Sequence, residues 1–307
     1  MTNTTMRAAV FNRFGSPEVL QVAELPVPEP GPGEVRVAVR AAGVQPIDTA
    51  VRRGEVPWAP KEFPRTLGNE FAGVVDAVGD DVAEWAVGDE VIGWAMMTCY
   101  AEYTVVSADQ MVAKPAAVPW EVAGVLSASG QTADTALESL GVSEGETLLV
   151  HAAAGGVGTY AVQLAVHRGA TVIGTASPRN HEYLRSLGAT PVSYGEGLVE
   201  RVRGVAPRGV DVALDAAGPD ALRASVELVA DRRRIGTITS FDLVDEYGVQ
   251  PLRSQRSPSR LRRLADLYAE GALQVAIAGS YDLADAAEAH RQSETGHLQG
   301  KIVLTTR

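Results

Sequence analysis

From Val35 to Arg40 apolar residues alternate with charged or small ones, the period of a half-buried strand. Before it, prolines at every second position from Pro26 to Pro32, closed by Gly33, exclude both a helix and a central strand. Residues 71–78 (FAGVVDAV) and 90–93 (EVIG) read as further strands, the second preceded by the turn pair Gly88-Asp89. The first third thus predicts an all-β barrel. Past Pro119 the pattern changes. Strands are expected at 147–151, 171–175, 210–216 and 234–239, with helices at 157–167, 181–187 and 220–229. Strand–helix alternation with short loops predicts a parallel sheet covered on both faces, the α/β class. An Arg-rich helix follows near 259–270, and Ile302-Val303-Leu304 forms a lone strand expected to return to the first barrel. The expected domains are 1–118 with 262–307, and 119–261 between them.

Composition narrows the function. Of 307 residues, 46% are hydrophobic and 21% charged, and the mean hydropathy is +0.01. The net charge is −11. An acidic surface repels phosphate backbones, so no nucleic-acid partner is expected. The N-terminus lacks the basic-then-apolar order of a secretory signal, and no apolar run is long enough for a bilayer, so a cytoplasmic chain without membrane contact is expected. Cys99 is the single cysteine, and His151, His167, His181, His290 and His297 are scattered. A zinc site built from several thiolates is excluded, and no metal ligands are expected.

The sharpest motif joins the strand at 147–151 to the helix after it through Ala152-Ala153-Ala154-Gly155-Gly156-Val157-Gly158. Small residues let a diphosphate approach the backbone, and the helix N-terminus offers free N–H groups and partial positive charge. A glycine-rich turn between strand and helix is the dinucleotide-binding arrangement. The next strand ends in Gly174-Thr175-Ala176-Ser177-Pro178-Arg179-Asn180, with no acid until Glu182. An acid there binds a ribose 2′-hydroxyl and repels a 2′-phosphate; Ser177 and Arg179 instead predict NADPH.

With these residues placed, the chain resembles the medium-chain dehydrogenase/reductase superfamily, in its zinc-free quinone oxidoreductase (ζ-crystallin-like) branch. Gly43-Val44-Gln45-Pro46-Ile47-Asp48, Gly68-Asn69-Glu70-Phe71-Ala72-Gly73, Gly88-Asp89-Glu90-Val91, the glycine turn and Gly300-Lys301-Ile302-Val303-Leu304 carry the resemblance in the family's order. The stretch 149–158 is also similar to the enoyl reductase domains of polyketide synthases. The resemblance implies a GroES-like catalytic barrel, a Rossmann domain, and a cofactor–substrate cleft between them. It also equates Gln45, Asn69 and Ala128 with the Cys, His and Cys that hold zinc in alcohol dehydrogenases of the superfamily. Without a Lewis acid the expected reaction is hydride delivery to a quinone or activated alkene.

Candidate catalytic residues are Gln45 and Thr132. Gln45 is either an amide donor to the substrate carbonyl or a loop residue standing where a ligand was lost. Thr132 fits a family position beside the nicotinamide, against a helix-interior Thr bonded to its own backbone. Cofactor contacts are expected from Ala154, Gly155, Gly156, Val157, Gly158, Ser177, Arg179, Tyr194 (packing on adenine), Ala217, Phe241 and Lys301. His151 reads as a packed core histidine, Cys99 as inert, and Asp48 and Glu70 as structural hydrogen-bonders. Arg253, Arg256, Arg260, Arg262 and Arg263 read as a solvated helix face, or as an anion dock. The expected partner is a small molecule (quinone, enone or enoyl thioester), with a homodimer formed through an edge strand near 273–279. An enoyl reductase of a natural-product pathway and a catalytically silent nucleotide-binding protein are the competing readings.

Overall fold

The computed structural model describes residues 4–306. The strand Glu34–Val44 organises the first sheet. It pairs antiparallel with Phe71–Val78, Tyr103–Ser107 and Lys301–Thr305. The path runs Ile277–Asp282, Lys301–Thr305, Glu34–Val44, Phe71–Val78, Glu90–Gly93, Met111–Ala113. Its period-2 pattern sends Val35, Val37 and Val39 inward to meet Phe71, Val75, Val91, Ile302 and Leu304. Register shifts at Arg36/Val37 and Val39/Ala41 bend the strand, as closing a barrel requires. The expected return of the terminal strand to this barrel is what the sheet shows.

The second sheet has six parallel strands in the order Ala189–Ser193, Thr171–Ala176, Thr147–Val150, Val212–Asp215, Ile235–Thr237, Gln250–Pro251. Both faces are buried, and alternate residues feed different cores. Leu148, Val150, Val172 and Leu214 pack with the helices Ser127–Ser139 and Gly156–His167. Leu149, Ile173 and Ala213 pack on the opposite face with Val202 and Leu222. The order reverses beside Thr147–Val150, so a crevice opens at the C-terminal ends of the central strands, where such folds bind dinucleotides. Pro191, which cannot donate to a ladder, lies in an edge strand.

Two details differ from the sequence reading. The helix Pro258–Ala269 runs through the expected division at 261/262, and Leu261, Leu264 and Ala265 bury in the core shared with the parallel sheet. The apolar spacing of that helix, not its charge, decides where it packs. The edge segment expected at 273–279 forms its strand at Ile277–Asp282. Among the described residues no helix is long and apolar enough to cross a membrane.

Candidate active site

A cleft of about 1860 Å³ runs between the two sheets. One wall is the glycine turn. Gly155, in extended conformation, caps the helix Gly156–His167. A Cβ on Gly158 would lie 2.3 Å from the Ala152 carbonyl oxygen and 2.6 Å from Ala153 Cα, so the first helical turn sits directly on the loop. A Cβ on Gly156 would come within 3.2 Å of Lys301 Cδ and Ser129 Oγ. Ala154, Gly155, Gly156, Val157 and Gly158 all face the cleft. This is a cradle that side chains would fill.

At the end of the next strand Ser177 lines the cleft, and its buried hydroxyl has no hydrogen-bond partner among the described residues. A buried hydroxyl left unpaired costs about 1–3 kcal/mol, so a ligand group fits there. Asn180 lines the cleft beside it. Arg179 is not among the lining residues, because the short turn Pro178–Asn180 points its guanidinium at the His297 carbonyl, 2.7 Å away. Tyr194 lines the cleft with 48% of its surface exposed, its ring stacked at 6.0 Å on His297. Ala217 and Phe241 also line it. The loops that bear them are tied to Asp215, which sequence reasoning had passed over as a site residue. Its buried carboxylate accepts from the N–H groups of Ala217 and Gly218 (2.9 Å each) and from the hydroxyls of Thr237 (2.7 Å), Thr239 (3.1 Å) and Ser240 (2.9 Å). The signal available was an acid at a strand's end followed by Gly218-Pro219.

His151 borders the cleft but is held as a core residue, Nε2 at 2.9 Å from Ser225 Oγ and Nδ1 at 3.3 Å from Thr175 Oγ1. Burial pushes its pKa down to about 4, so it is neutral at pH 7.

The opposite wall brings Gln45, Asn69 and Ala128 together. Gln45 caps the helix Pro46–Arg53, its N–H donating to Asp48 Oδ2 at 2.9 Å. Its side-chain amide nitrogen donates to Glu70 Oε1, and its amide oxygen accepts from Ser129 Oγ at 3.2 Å. Lys301 Nζ donates to Ser129 Oγ at 2.8 Å and lies 3.4 Å from Glu70 Oε1, while Glu70 Oε2 accepts from the Ala128 N–H at 2.6 Å. Burial lowers the Lys301 pKa and Glu70 opposes that shift. Lys301, expected near the cofactor, is therefore a buried ion-pair member facing the glycine turn. Beneath this network Asp48 accepts from Gly68 N (3.1 Å), Asn69 Nδ2 (2.7 Å) and Tyr100 OH (3.1 Å). Burial raises its pKa to about 6 despite these bonds. Asp48 and Glu70 are structural hydrogen-bonders, as expected.

Thr132 lines the cleft, yet its hydroxyl donates to the Ala128 carbonyl at 2.7 Å, the helix-interior arrangement. Cys99 is buried and its thiol pushed up to about 12, which leaves it inert. The arginine cluster divides. Arg260 and Arg263 clamp the buried carboxylate of Asp134, joined by Arg168 at 2.8 Å, so the helix does not present a simple solvated face. Arg253 and Arg256 line the cleft.

Comparison with known proteins agrees with this architecture. The profile for the alcohol dehydrogenase GroES-like domain matches residues 31–119, and that for a zinc-binding dehydrogenase matches residues 187–304. The quinone oxidoreductase of Pseudomonas aeruginosa is 34% identical over 319 aligned residues, covering 96% of this chain and 98% of the relative. Phthioceranic/hydroxyphthioceranic acid synthase of Mycobacterium bovis is 31% identical over 94% of this chain, which spans 15% of that longer protein. The Escherichia coli quinone oxidoreductase, solved in complex with NADPH, superposes with a TM-score of 0.87 at 29% identity, covering 97% of this chain and 99% of that one. The chain belongs to the medium-chain dehydrogenase/reductase superfamily, in its quinone oxidoreductase family.

Proposed function

We propose that the chain is an NADPH-dependent, zinc-independent reductase of quinones or electron-poor alkenes. The observation that carries this is the glycine cradle at the head of Gly156–His167, opening on a cleft whose far wall holds Gln45 and Asn69. Backbone N–H groups of 155–158 would hold the diphosphate, Ser177 the 2′-phosphate and Tyr194 the adenine, with Ala217 and Phe241 toward the other end. NADPH, when bound, supplies the hydride.

The chain's own residues supply position and polarity. One hydrogen of the Gln45 amide is committed to Glu70; the second remains for an acceptor carbonyl, where charge develops as hydride arrives. Lys301 and Glu70 fix that amide in place. Ile47, Trp58, Trp94 and Met96 also line the cleft and offer apolar surface to an acceptor. Zinc independence is supported by the donor set: two amides and a methyl group stand where thiolate and imidazole ligands would be needed. We also infer a homodimer through the edge strand Ile277–Asp282, and a cytoplasmic location.

The test is an NADPH-oxidation screen across a quinone, an enone and an enoyl thioester, with the zinc content of the active protein measured alongside. Turnover with NADPH and substoichiometric zinc is expected. Stoichiometric zinc in active enzyme, or equal use of NADH, overturns the reading. A thioester preference above about 100-fold, about 2.7 kcal/mol, assigns the enoyl reductase role instead.

A further inference from the structure

Three arginines line the cleft, and their charges are met differently. Arg223 pairs with Asp220 at 2.5 Å. Arg253 and Arg256 form no ion pair among the described residues. Arg253 lies over the Phe241 ring at 5.3 Å. Arg256 is half-buried, and its Nη1 donates to the Asn69 carbonyl at 2.7 Å, one of five N–H donors on the group. The neighbouring carboxylates are taken: Glu70 by Gln45, Ala128 N–H and Lys301, and Asp48 by Gly68, Asn69, Gln45 N–H and Tyr100. Burial lowers the Arg256 pKa, with Glu70 only partly opposing. Arg260 and Arg36, also half-buried, meet carboxylates in Asp134 and Asp76, whereas Arg65, the buried guanidinium without one among the described residues, lies against the Phe11 and Phe14 rings and does not line the cleft. In a chain of net charge −11, the substrate end of the cleft holds Lys301, Arg253 and Arg256 against two occupied acids.

We propose that the acceptor reduced in this cleft carries a carboxylate on or beside its conjugated system, and that Arg256, with Arg253 next to it, binds that group. The inference rests on the reductase reading above and deepens it. Arg256 touches the backbone of Asn69, the neighbour of Glu70 and so of the Gln45 network. That position suits an oxyanion on the acceptor itself, not a phosphate at the end of a long carrier arm. Ile47, Trp58, Trp94 and Met96 would cover the conjugated body. The carboxylate is bound and is not transformed. A guanidinium offers two parallel N–H donors to a carboxylate, the strong bidentate geometry.

The test uses the full chain with NADP⁺ and a matched non-reducible pair, 3-phenylpropionate and its methyl ester, followed by tryptophan fluorescence from Trp58 and Trp94. A reducible pair, 4-oxo-4-phenylbut-2-enoate and its methyl ester, is followed by NADPH oxidation. The acid is expected to bind at least about 10-fold more tightly than the ester, and to show a KM lower by a similar factor. Arg256→Gln should collapse that ratio to within about 2-fold, and Arg256→Lys should restore part of it. Arg253→Gln should shrink the ratio less, and it carries the test if Arg256→Gln does not fold. Equal binding of acid and ester by the native chain overturns the inference. So does an Arg256→Gln variant whose NADPH affinity falls as much as its acid affinity, since Arg256 would then serve the cofactor. Discrimination only between crotonyl-CoA and its phosphate-free N-acetylcysteamine thioester overturns the carboxylate in favour of a phosphate. Acid-selective binding that Arg256→Gln abolishes, without turnover of any acceptor, keeps Arg256 as a carboxylate-binding group and defeats the reductase reading, and with it the claim that the bound acid is the acceptor.

Discussion

The two walls of the cleft are built on opposite plans. The Rossmann wall offers backbone: a glycine turn, the head of a helix, and loops pinned from below by Asp215. The barrel wall offers side chains: Gln45 and Lys301 meet at Glu70 and both bond Ser129 of the helix Ser127–Ser139, over Asp48 and Asn69. The Rossmann wall has open space and a hydroxyl, Ser177 Oγ, without a hydrogen-bond partner among the described residues. A side-chain network is already paired and holds its shape without a ligand. Changes in the barrel wall should therefore register first as lost stability, and changes in the Rossmann wall as lost cofactor affinity.

The strongest challenge to this contrast is Glu70→Ala. It strands the buried Lys301 ammonium without its carboxylate, and breaking a buried pair costs about 3–5 kcal/mol. The thermal midpoint of the ligand-free protein should fall by about 5–8 °C. A fall of only a degree or two would mean that the network does not hold the wall. Asp48 gives the next effect through pH. Its folded pKa, about 6, lies above the ordinary carboxylate value because of burial. The folded state thus binds the proton more tightly than the unfolded chain, and stability from this group is present at low pH and lost as pH rises from about 4 to about 6. His151, depressed to about 4, pulls the opposite way, losing stability as pH falls toward 4. The Asp48 contribution is isolated as the difference between native and Asp48→Asn urea titrations, with a falling limb of about 3 kcal/mol. A flat difference curve would place Asp48 in a solvated setting.

On the other wall, Gly158→Ala drives a methyl group into Ala152 and Ala153. Overpacking of this kind costs about 1–3 kcal/mol. NADPH affinity, measured by fluorescence titration, should fall by about 10- to 100-fold; unchanged affinity would remove the cradle from the account. The smallest effects sharpen the 2′-phosphate assignment. Ser177→Ala should weaken NADPH by about 5-fold and leave NADH alone, since it deletes one hydrogen bond. Arg179→Ala, whose side chain bonds His297, should change the NADPH/NADH ratio by less than about 2-fold. The reverse ranking would return the phosphate to Arg179.

How much of this could be read from the chain follows the same division. The glycine turn was legible because its strand, turn and helix are consecutive in the chain, and small residues in that order mark a helix head packed closely on its loop. The β alternation of 35–40 and the terminal strand were legible because side-chain period reports burial directly. The barrel network was not. Lys301 and Ser129 are 172 positions apart and Gln45 and Ser129 are 84 apart, and no local pattern marks either pair. Arg179 shows the limit of a local reading. It lies two residues past Ser177, but a single tight turn decides which of the two lines the cleft. The Arg-rich helix shows another, since composition suggests a wet face where Asp134, buried on a neighbouring helix, draws the charges in.

The strand Lys301–Thr305 sits between Ile277–Asp282 and Glu34–Val44 in the barrel sheet. On the ribosome, Glu34–Val44 emerges long before its neighbour exists, and all six strands of the parallel sheet are made in the interval. The nucleotide half can reach its final form while Glu70 still waits for the ammonium that will neutralise it. A chain halted before Lys301 would hold Gln45, Glu70 and Ser129 opposite the cradle but would lack both the cation that meets Glu70 and the strand that joins Ile277–Asp282 to the barrel.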